Sequence, residues 1–341
     1  MNKINYYVIV TLLCVVATSC KDNEDKLDDG GLELAVQYNY YTASGVRNLF
    51  ADSIRRLDFL VFNYDSTLVK VESIEHPQVG SDGMFHYYFQ LGGGHHEVIC
   101  WANGEKGWTR QFTIGQSMAQ TRVLLNALEN NTAYGDTCTA ANPISPLYWG
   151  RTKHGTVRVM NGFNVNDTID LGQATHNINL QLRWIDSNGV PCLVHEHEKT
   201  AYPVVTGRSG ELSSFLCKPQ WERHFRYLSS LKYGNSGAIT DEACVRAHYR
   251  TSRLMASGDP SELIIYKTED EVTSFYSFSL VELIRRTGAY NDQFAIDNEP
   301  TYNILVELRC PHPEHQKDDT WTVATIAVNG WVLKNVKELI L

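Results

Sequence analysis

His195-Glu196-His197 sets two imidazoles on one side of an extended segment, and Glu198 or Cys192 nearby adds oxygen or sulfur donors of the kind that hold zinc. No third ligand follows at a diagnostic spacing, so a solvated polar stretch is the better account of the pattern. His95-His96 and His312-Pro313-Glu314-His315 each adjoin a turn and read as surface histidines. A zinc-protease helix motif and a Gly-x-Ser-x-Gly elbow are both absent. Gly92-Gly93-Gly94 runs into neither a helix nor a Lys-Ser/Thr pair, which argues against phosphate binding. A glycosidase's two acids can come from distant strands, so paired carboxylates cannot be judged from spacing. The expectation is no catalytic residue, no metal site and no cofactor.

The residue whose setting does specify chemistry is Cys20. Lys3 precedes an apolar run over 6–16, too short for a permanent transmembrane helix and of signal-peptide length. The small residues Ala17-Thr18-Ser19 directly before Cys20 resemble a bacterial lipobox, in which cleavage leaves that cysteine as the new N-terminus carrying diacylglycerol on its thiol. Acyl chains hold a membrane with about 0.8 kcal/mol per buried CH₂, so several on one residue make a firm anchor. Residues 1–19 are thus expected to be a signal peptide. Residues 20–31 are polar, acidic and glycine-ended, with too little apolar surface to fold, and read as a lipidated tether.

Removing residues 1–19 takes away one Lys and no acid. The remaining 322 residues (341 less 19) then carry 29 basic and 39 acidic side chains, a net charge near −10, and nucleic acid is an unsuitable partner. That length exceeds what one hydrophobic core usually serves. Cys100, Cys138, Cys192, Cys217, Cys244 and Cys310 are even in number in an exported chain and permit three disulfides, but no spacing forces them.

The elements that would carry such a chain are strands. Leu32, Leu34, Val36 and Tyr38 alternate, as in a half-buried strand that starts where the tether ends. The run 56–64 is apolar on both faces at its centre, as a strand between two layers is. Strands follow at 85–91 and 97–102, joined by the three glycines as a hairpin connection, then at 108–114, 148–150, 156–160 and 178–185. Residues 116–129 carry a loose helical pattern ending at Asn130-Asn131, and 221–231 is a second helix candidate. Further strands are expected at 263–266, 275–278 and 302–308. Leu280, Leu283 and Ile284 share a helical face up to Gly288. Asn329-Gly330 between 322–328 and 331–333 is the signature of a tight hairpin. Short strands, frequent turns and few helices predict an all-β chain of two tandem β-sandwich domains with a few short helices, divided into 32–174 and 175–341.

The order of these elements resembles the FimB/Mfa2 fimbrial anchor family of Bacteroidia. The matching features are the Cys20 lipobox with its acidic tether, Asn48-Leu49-Phe50 before Phe59-Leu60-Val61-Phe62, and the glycine turn before Val98-Ile99-Cys100-Trp101-Ala102-Asn103. Further on come Leu280 to Ile284, the stretch 294–304 and Val328-Asn329-Gly330-Trp331. The likeness spans nearly the whole mature chain and lapses over 203–260. It implies transthyretin-like sandwiches and a lipoprotein at the outer membrane that fixes the base of a fimbrium by binding a pilin subunit, with strand addition at a sheet edge as the bond. The acidic stretch after Cys20 resembles the export signal of Bacteroidetes surface lipoproteins. Related pilins lose an N-terminal segment after a basic residue; here Lys21, Lys26 and Arg47 are the candidates, and an anchor that keeps its first strand fits better. Asp52-Ser53-Ile54 and Asp167-Thr168-Ile169 resemble Bacteroidetes O-glycosylation acceptors. A competing reading is a surface glycan-binding lipoprotein of a nutrient-uptake system, with Trp108, Trp149 and Trp221 stacking on sugar, while Trp101 and Trp331 are expected in the core.

Overall fold

The computed structural model describes residues 30–128, 137–140, 144–192, 201–207, 210–220, 224–233, 244–266, 274–309 and 322–334. The chain is all-β, with helices limited to three short segments, Phe50–Ser53, Leu280–Arg285 and Gln293–Asn298, among the described residues.

The N-terminal sandwich has an outer sheet of three strands in the order Asn164–Asp170, Gly31–Gln37, Phe85–Gln90. The first strand is therefore central, parallel to 164–170 on one side and antiparallel to 85–90 on the other. Its alternation puts Leu32, Leu34 and Val36 inward, each fully buried. Facing it is a sheet ordered Gly172–Gln173, Leu147–Arg151, Gly94–Asn103, Arg56–Phe62, Leu68–Glu75, with Val157–Val159 added to one end of 94–103. Leu57, Phe59 and Val61 of strand 56–62 join the N-terminal core, whereas Leu60 and Phe62 point into the second core. The two-faced apolar run of 56–64 thus marks a middle layer, as its sequence predicts.

The second core continues into the C-terminal half. One six-stranded sheet is ordered Ser230–Tyr233, Cys244–Ser252, Thr175–Ile185, Thr301–Arg309, Thr322–Val328, Trp331–Val332. Its central strand 175–185 sends Ile178, Leu180, Leu182 and Trp184 inward and Asn177, Asn179, Gln181 and Arg183 outward. The facing sheet runs Ala127–Leu128, Thr137–Ala140, His224–Tyr227, Tyr202–Gly207, Glu262–Tyr266, Ser274–Ser279. A four-stranded sheet, Pro219–Gln220, Glu211–Ser213, Arg122–Leu125, Trp108–Gln111, mixes residues from both halves of the chain. Residue 175 opens the central strand of the C-terminal sheet, directly after the edge strand 172–173 of the middle sheet.

Three sequence expectations need correction. Residues 122–125 form a strand, not part of a helix, because Val123 and Leu125 alternate inward between strands 108–111 and 211–213. Described residues 224–227 and 230–233 are likewise strands rather than a helix. Strands 85–90 and 94–103 do not pair with each other; the glycines carry the chain from the outer sheet to the middle sheet, and Gly94 sits at φ +152° to make that crossover. The helix at 280–285 forms with the Ser279 side chain accepting from the Glu282 N–H, and the chain turns away at Gly288, φ +77°. Asn329 and Gly330 both have positive φ, +48° and +84°, as a tight hairpin between twisted strands requires.

Candidate functional site

The candidate points of attachment are the N-terminal strand and the sheet edges. Cys20 and the tether to residue 29 lie outside the described residues, as do Lys21 and Lys26. The described chain begins at Gly30, buried against strand 157–159 and the turn after it. A Cβ there would fall 2.1 Å from the Met160 carbonyl oxygen, so only glycine fits. Gly30 and Gly31, which read as the loose end of a tether, are instead packed. The ladder is extended by Gly31 N–H donating to Phe163 O at 3.2 Å and Leu91 N–H donating to Gly30 O at 3.1 Å. At its far end Leu171 N–H donates to Gln37 O at 2.9 Å. Arg47 lies in the exposed hairpin strand Gly45–Asn48, after the core strand rather than before it.

The sheet edges differ in chemistry. Strand 68–75 carries Lys70, Glu72 and Glu75, with Lys70 paired to Glu72 at 3.3 Å and Arg56 to Glu75 at 2.9 Å, the charged pattern that discourages edge-to-edge pairing. Strand 85–90 is aromatic, with Phe85, Tyr87 and Phe89 in ring contact and Tyr88 about half exposed. In the C-terminal half, strand 274–279 and strand 322–328 carry no charged side chain. The short final strand covers only one end of 322–328 and leaves Trp331 56% and Val332 66% exposed. The expectation that Trp331 sits in the core is therefore wrong: it pairs opposite Val328 on a two-residue strand and is more than half exposed, with no layer over it among the described residues.

The charged groups inside the fold are paired. Asp58, 1% exposed, is gripped by Arg56 at 2.9 Å, Arg110 at 2.5 Å and the Ser73 hydroxyl at 2.6 Å. Arg253 holds Asp297 through both carboxylate oxygens, and burial beside this pair pushes the Cys217 thiol up to about 12. His176 is buried at the join of the two halves, where desolvation lowers its pKa to about 4. His86 lies between Asp82 and Glu33, which raise its pKa.

Of the residues singled out in the sequence, His195, Glu196, His197, Glu198, His312, Glu314, His315, Trp221 and Cys310 lie outside the described residues. His95 and His96 begin strand 94–103, with His96 Nε2 3.0 Å from the Gly92 carbonyl oxygen. Among the described residues no group of three or more His, Cys, Asp or Glu is placed to hold a metal ion. Cys100 and Cys217 are buried thiols. Trp108 and Trp149 are not open platforms: Trp108 is 5% exposed, Trp149 packs against the second core, and their indole N–H groups donate to the Ser145 and Ser214 carbonyl oxygens. Ser53 closes the helix Phe50–Ser53 and meets the Tyr148 hydroxyl, while Thr168 lies in the parallel ladder opposite Ala35.

Sequence reasoning missed one cluster. Asn298 on the last helix reaches across to the N-terminal hairpin, its amide oxygen accepting from Tyr41 N–H and its amide nitrogen donating to Tyr41 O, both at 2.8 Å. Asp292 caps that helix by accepting from Ala295 N–H at 2.8 Å, a signal present in the sequence.

A comparison with curated protein sequences gives no match. Solved structures share the fold. The fimbrial anchor protein Mfa2 from Porphyromonas gingivalis superposes with a TM-score of 0.69 at 16% identity, over 89% of this chain and 98% of that one. A candidate polysaccharide-binding protein from Bacteroides thetaiotaomicron gives 0.68 at 14% identity, over 91% and 99%. A candidate adhesin from Bacteroides ovatus gives 0.67 at 16%, over 89% and 94%. The family model described as "Fimbrillin-A associated anchor proteins Mfa1 and Mfa2" matches residues 21–337, and with nearly the whole chain inside that match the protein belongs to this family of fimbrial anchor proteins.

Proposed function

We propose that this chain is a non-enzymatic outer-membrane lipoprotein that holds the base of a fimbrium at the cell surface. Residues 1–19 are removed, Cys20 carries the lipid, residues 21–29 span the gap, and two sandwich domains divided at residue 175 meet a pilin subunit. The family match over 21–337 carries the reading. The placement of the first strand supports it: a load entering at residue 30 meets a strand in the middle of a sheet, bonded on both sides. Strand addition is the proposed bond to the pilin. The uncharged edges at 274–279 and 322–328 offer backbone donors and acceptors without the charges that guard strand 68–75.

The competing reading as a nutrient-uptake glycan binder relied on exposed tryptophans, and Trp108 and Trp149 are spent on packing. The test is to replace Cys20 by alanine and count fimbriae on cells and in the medium. Shedding of fimbriae and loss of the protein from outer-membrane fractions is the expected result. Fimbriae that stay attached while the unlipidated protein is released would refute the anchor.

A further inference from the structure

The hairpin 39–48 and the helix 293–298 enclose a hollow of about 220 Å³ between the two halves of the molecule. Tyr38 lies at its base, only 4% exposed and packed on Tyr148 at 4.9 Å between ring centroids. Tyr41 and Phe294 form an open aromatic corner, with centroids 5.2 Å apart, planes at 61°, and exposures of 41% and 61%. Two exposed aromatic rings in contact beside a concave polar rim have the composition of a small-ligand site. The corner is held in place in advance, because Asn298 fixes Tyr41 through both backbone groups and the helix presenting Phe294 is capped by Asp292.

The polar rim divides into engaged and available groups. Asn298 is committed to Tyr41, and both oxygens of Asp297 are taken by Arg253. Asp170 receives Gln37 at one oxygen only, and the Asn39 side-chain amide has no hydrogen-bond partner among the described residues. A flat aromatic face beside an unpaired carboxylate oxygen and an unpaired amide matches a pyranose, which has an apolar C–H face and a ring of hydroxyls that donate and accept. Among the described residues no cationic side chain lines the hollow, and Asp170 and Asp297 both do, so anionic sugars are disfavoured.

We propose that this junction hollow binds a single neutral pyranose residue of a glycan, with the sugar face on the Phe294 ring, its edge against Tyr41, and its hydroxyls bonded to Asn39 and Asp170. The proposal is independent of the anchoring role, and neither depends on the other.

Ligand-observed NMR on the mature chain with Cys20→Ala, using methyl glycosides of glucose, galactose, mannose and N-acetylglucosamine, tests it. Saturable binding by at least one sugar is expected, weakened roughly threefold to tenfold by Phe294→Ala. Asn39→Ala is expected to weaken the same sugar. Both side chains lie at the surface, and an unchanged thermal melt confirms that each variant is folded. No saturation by any of the four sugars would overturn the proposal, as would sugar binding that ignores both substitutions. A lysine-rich peptide is the control for the alternative ligand that a carboxylate beside aromatic faces attracts. Its binding at Phe294 in the absence of any sugar binding would also overturn the proposal.

Discussion

His176 should make this protein lose stability in mild acid, and substitution should isolate that loss. The imidazole is 1% exposed. Its Nε2 lies 3.2 Å from the Ile296 carbonyl oxygen, and its Nδ1 lies 3.3 Å from the Leu254 N–H. A carbonyl can only accept and an amide can only donate, so both contacts are satisfied by the neutral tautomer with its proton on Nε2. A second proton on Nδ1 would face the Leu254 N–H. Desolvation is the largest influence and lowers the pKa to about 4; Arg253 acts in the same direction, while Asp297 and the Ile296 and Ser252 backbone oppose it. In the unfolded chain the same group titrates near its ordinary 6.5. Between about 6.5 and about 4 the unfolded state therefore binds a proton that the folded state refuses. The stability from keeping His176 neutral is complete above 6.5 and falls away as the pH drops to about 4. At about 1.36 kcal/mol per pH unit that window amounts to roughly 3 kcal/mol. Urea melts at pH 7, 6, 5 and 4 should show it, run beside His176→Gln, whose amide can donate and accept but does not titrate. Acidic groups elsewhere titrate alike in both proteins, so the difference between the two curves reports His176. Parallel loss of stability in wild type and variant from pH 7 to 4 would refute the reasoning.

Three further substitutions follow from the packing. Asp58→Ala removes the buried carboxylate that Arg56, Arg110 and the Ser73 hydroxyl share, while Arg56 keeps Glu75 and Arg110 keeps the Asn103 and Gly104 carbonyls, and should cost about 1–3 kcal/mol, read as a lower urea midpoint at unchanged m-value. Gly30→Ala drives a methyl group against the Met160 carbonyl and should cost about 1–3 kcal/mol, whereas Gly92→Ala, with open space at its Cβ, should be nearly silent in the same melts.

How much of this was legible in the sequence varies with how local the determinants are. Strand 175–185 and strand 301–309 announce themselves because each has one face against the core, so period-two alternation survives in Ile178, Leu180, Leu182 and in Tyr302, Ile304, Val306. The hairpin at Asn329-Gly330 is legible because its geometry is a property of two residues. Residues 122–125 misled because four residues hold too little of a period, and what makes them a strand is a partner at 211–213, nearly ninety positions away. The glycines 92–94 predicted a turn correctly, but whether a turn joins partners or changes sheets depends on distant strands: 94–103 has both edges taken by 56–62 and 147–151, and 85–90 pairs instead with 31–37. Trp331 misled because a strand pattern fixes the direction of a side chain but not whether a layer lies over it. The junction hollow was invisible for the same reason: Asn39, Tyr41, Asp170 and Phe294 come from three distant segments.

The position of the first strand bears on how such a chain would join a polymer. Among the described residues, strand 31–37 joins 164–170 to 85–90, which pair with it and not with each other. Withdrawing it would break two ladders at once and uncover Phe85, Phe89 and Ile169, all facing a core that Leu32, Leu34 and Val36 now fill. A subunit that vacates this slot gains an acceptor groove; a subunit that keeps it has a closed N-terminal sandwich and must meet a neighbour at an outer edge. Arg47, the basic residue beyond the strand, lies in a hairpin whose base is tied back by Leu49 N–H donating to Tyr38 O at 2.7 Å. Cutting there would sever the loop and leave the strand held by both ladders. The hydrogen bonds of those ladders run across the strand, so a pull along it from residue 30 loads them together in shear, whereas an edge hairpin would open one bond at a time. Bonded on both sides along its length, the first strand is suited to bear tension applied at residue 30.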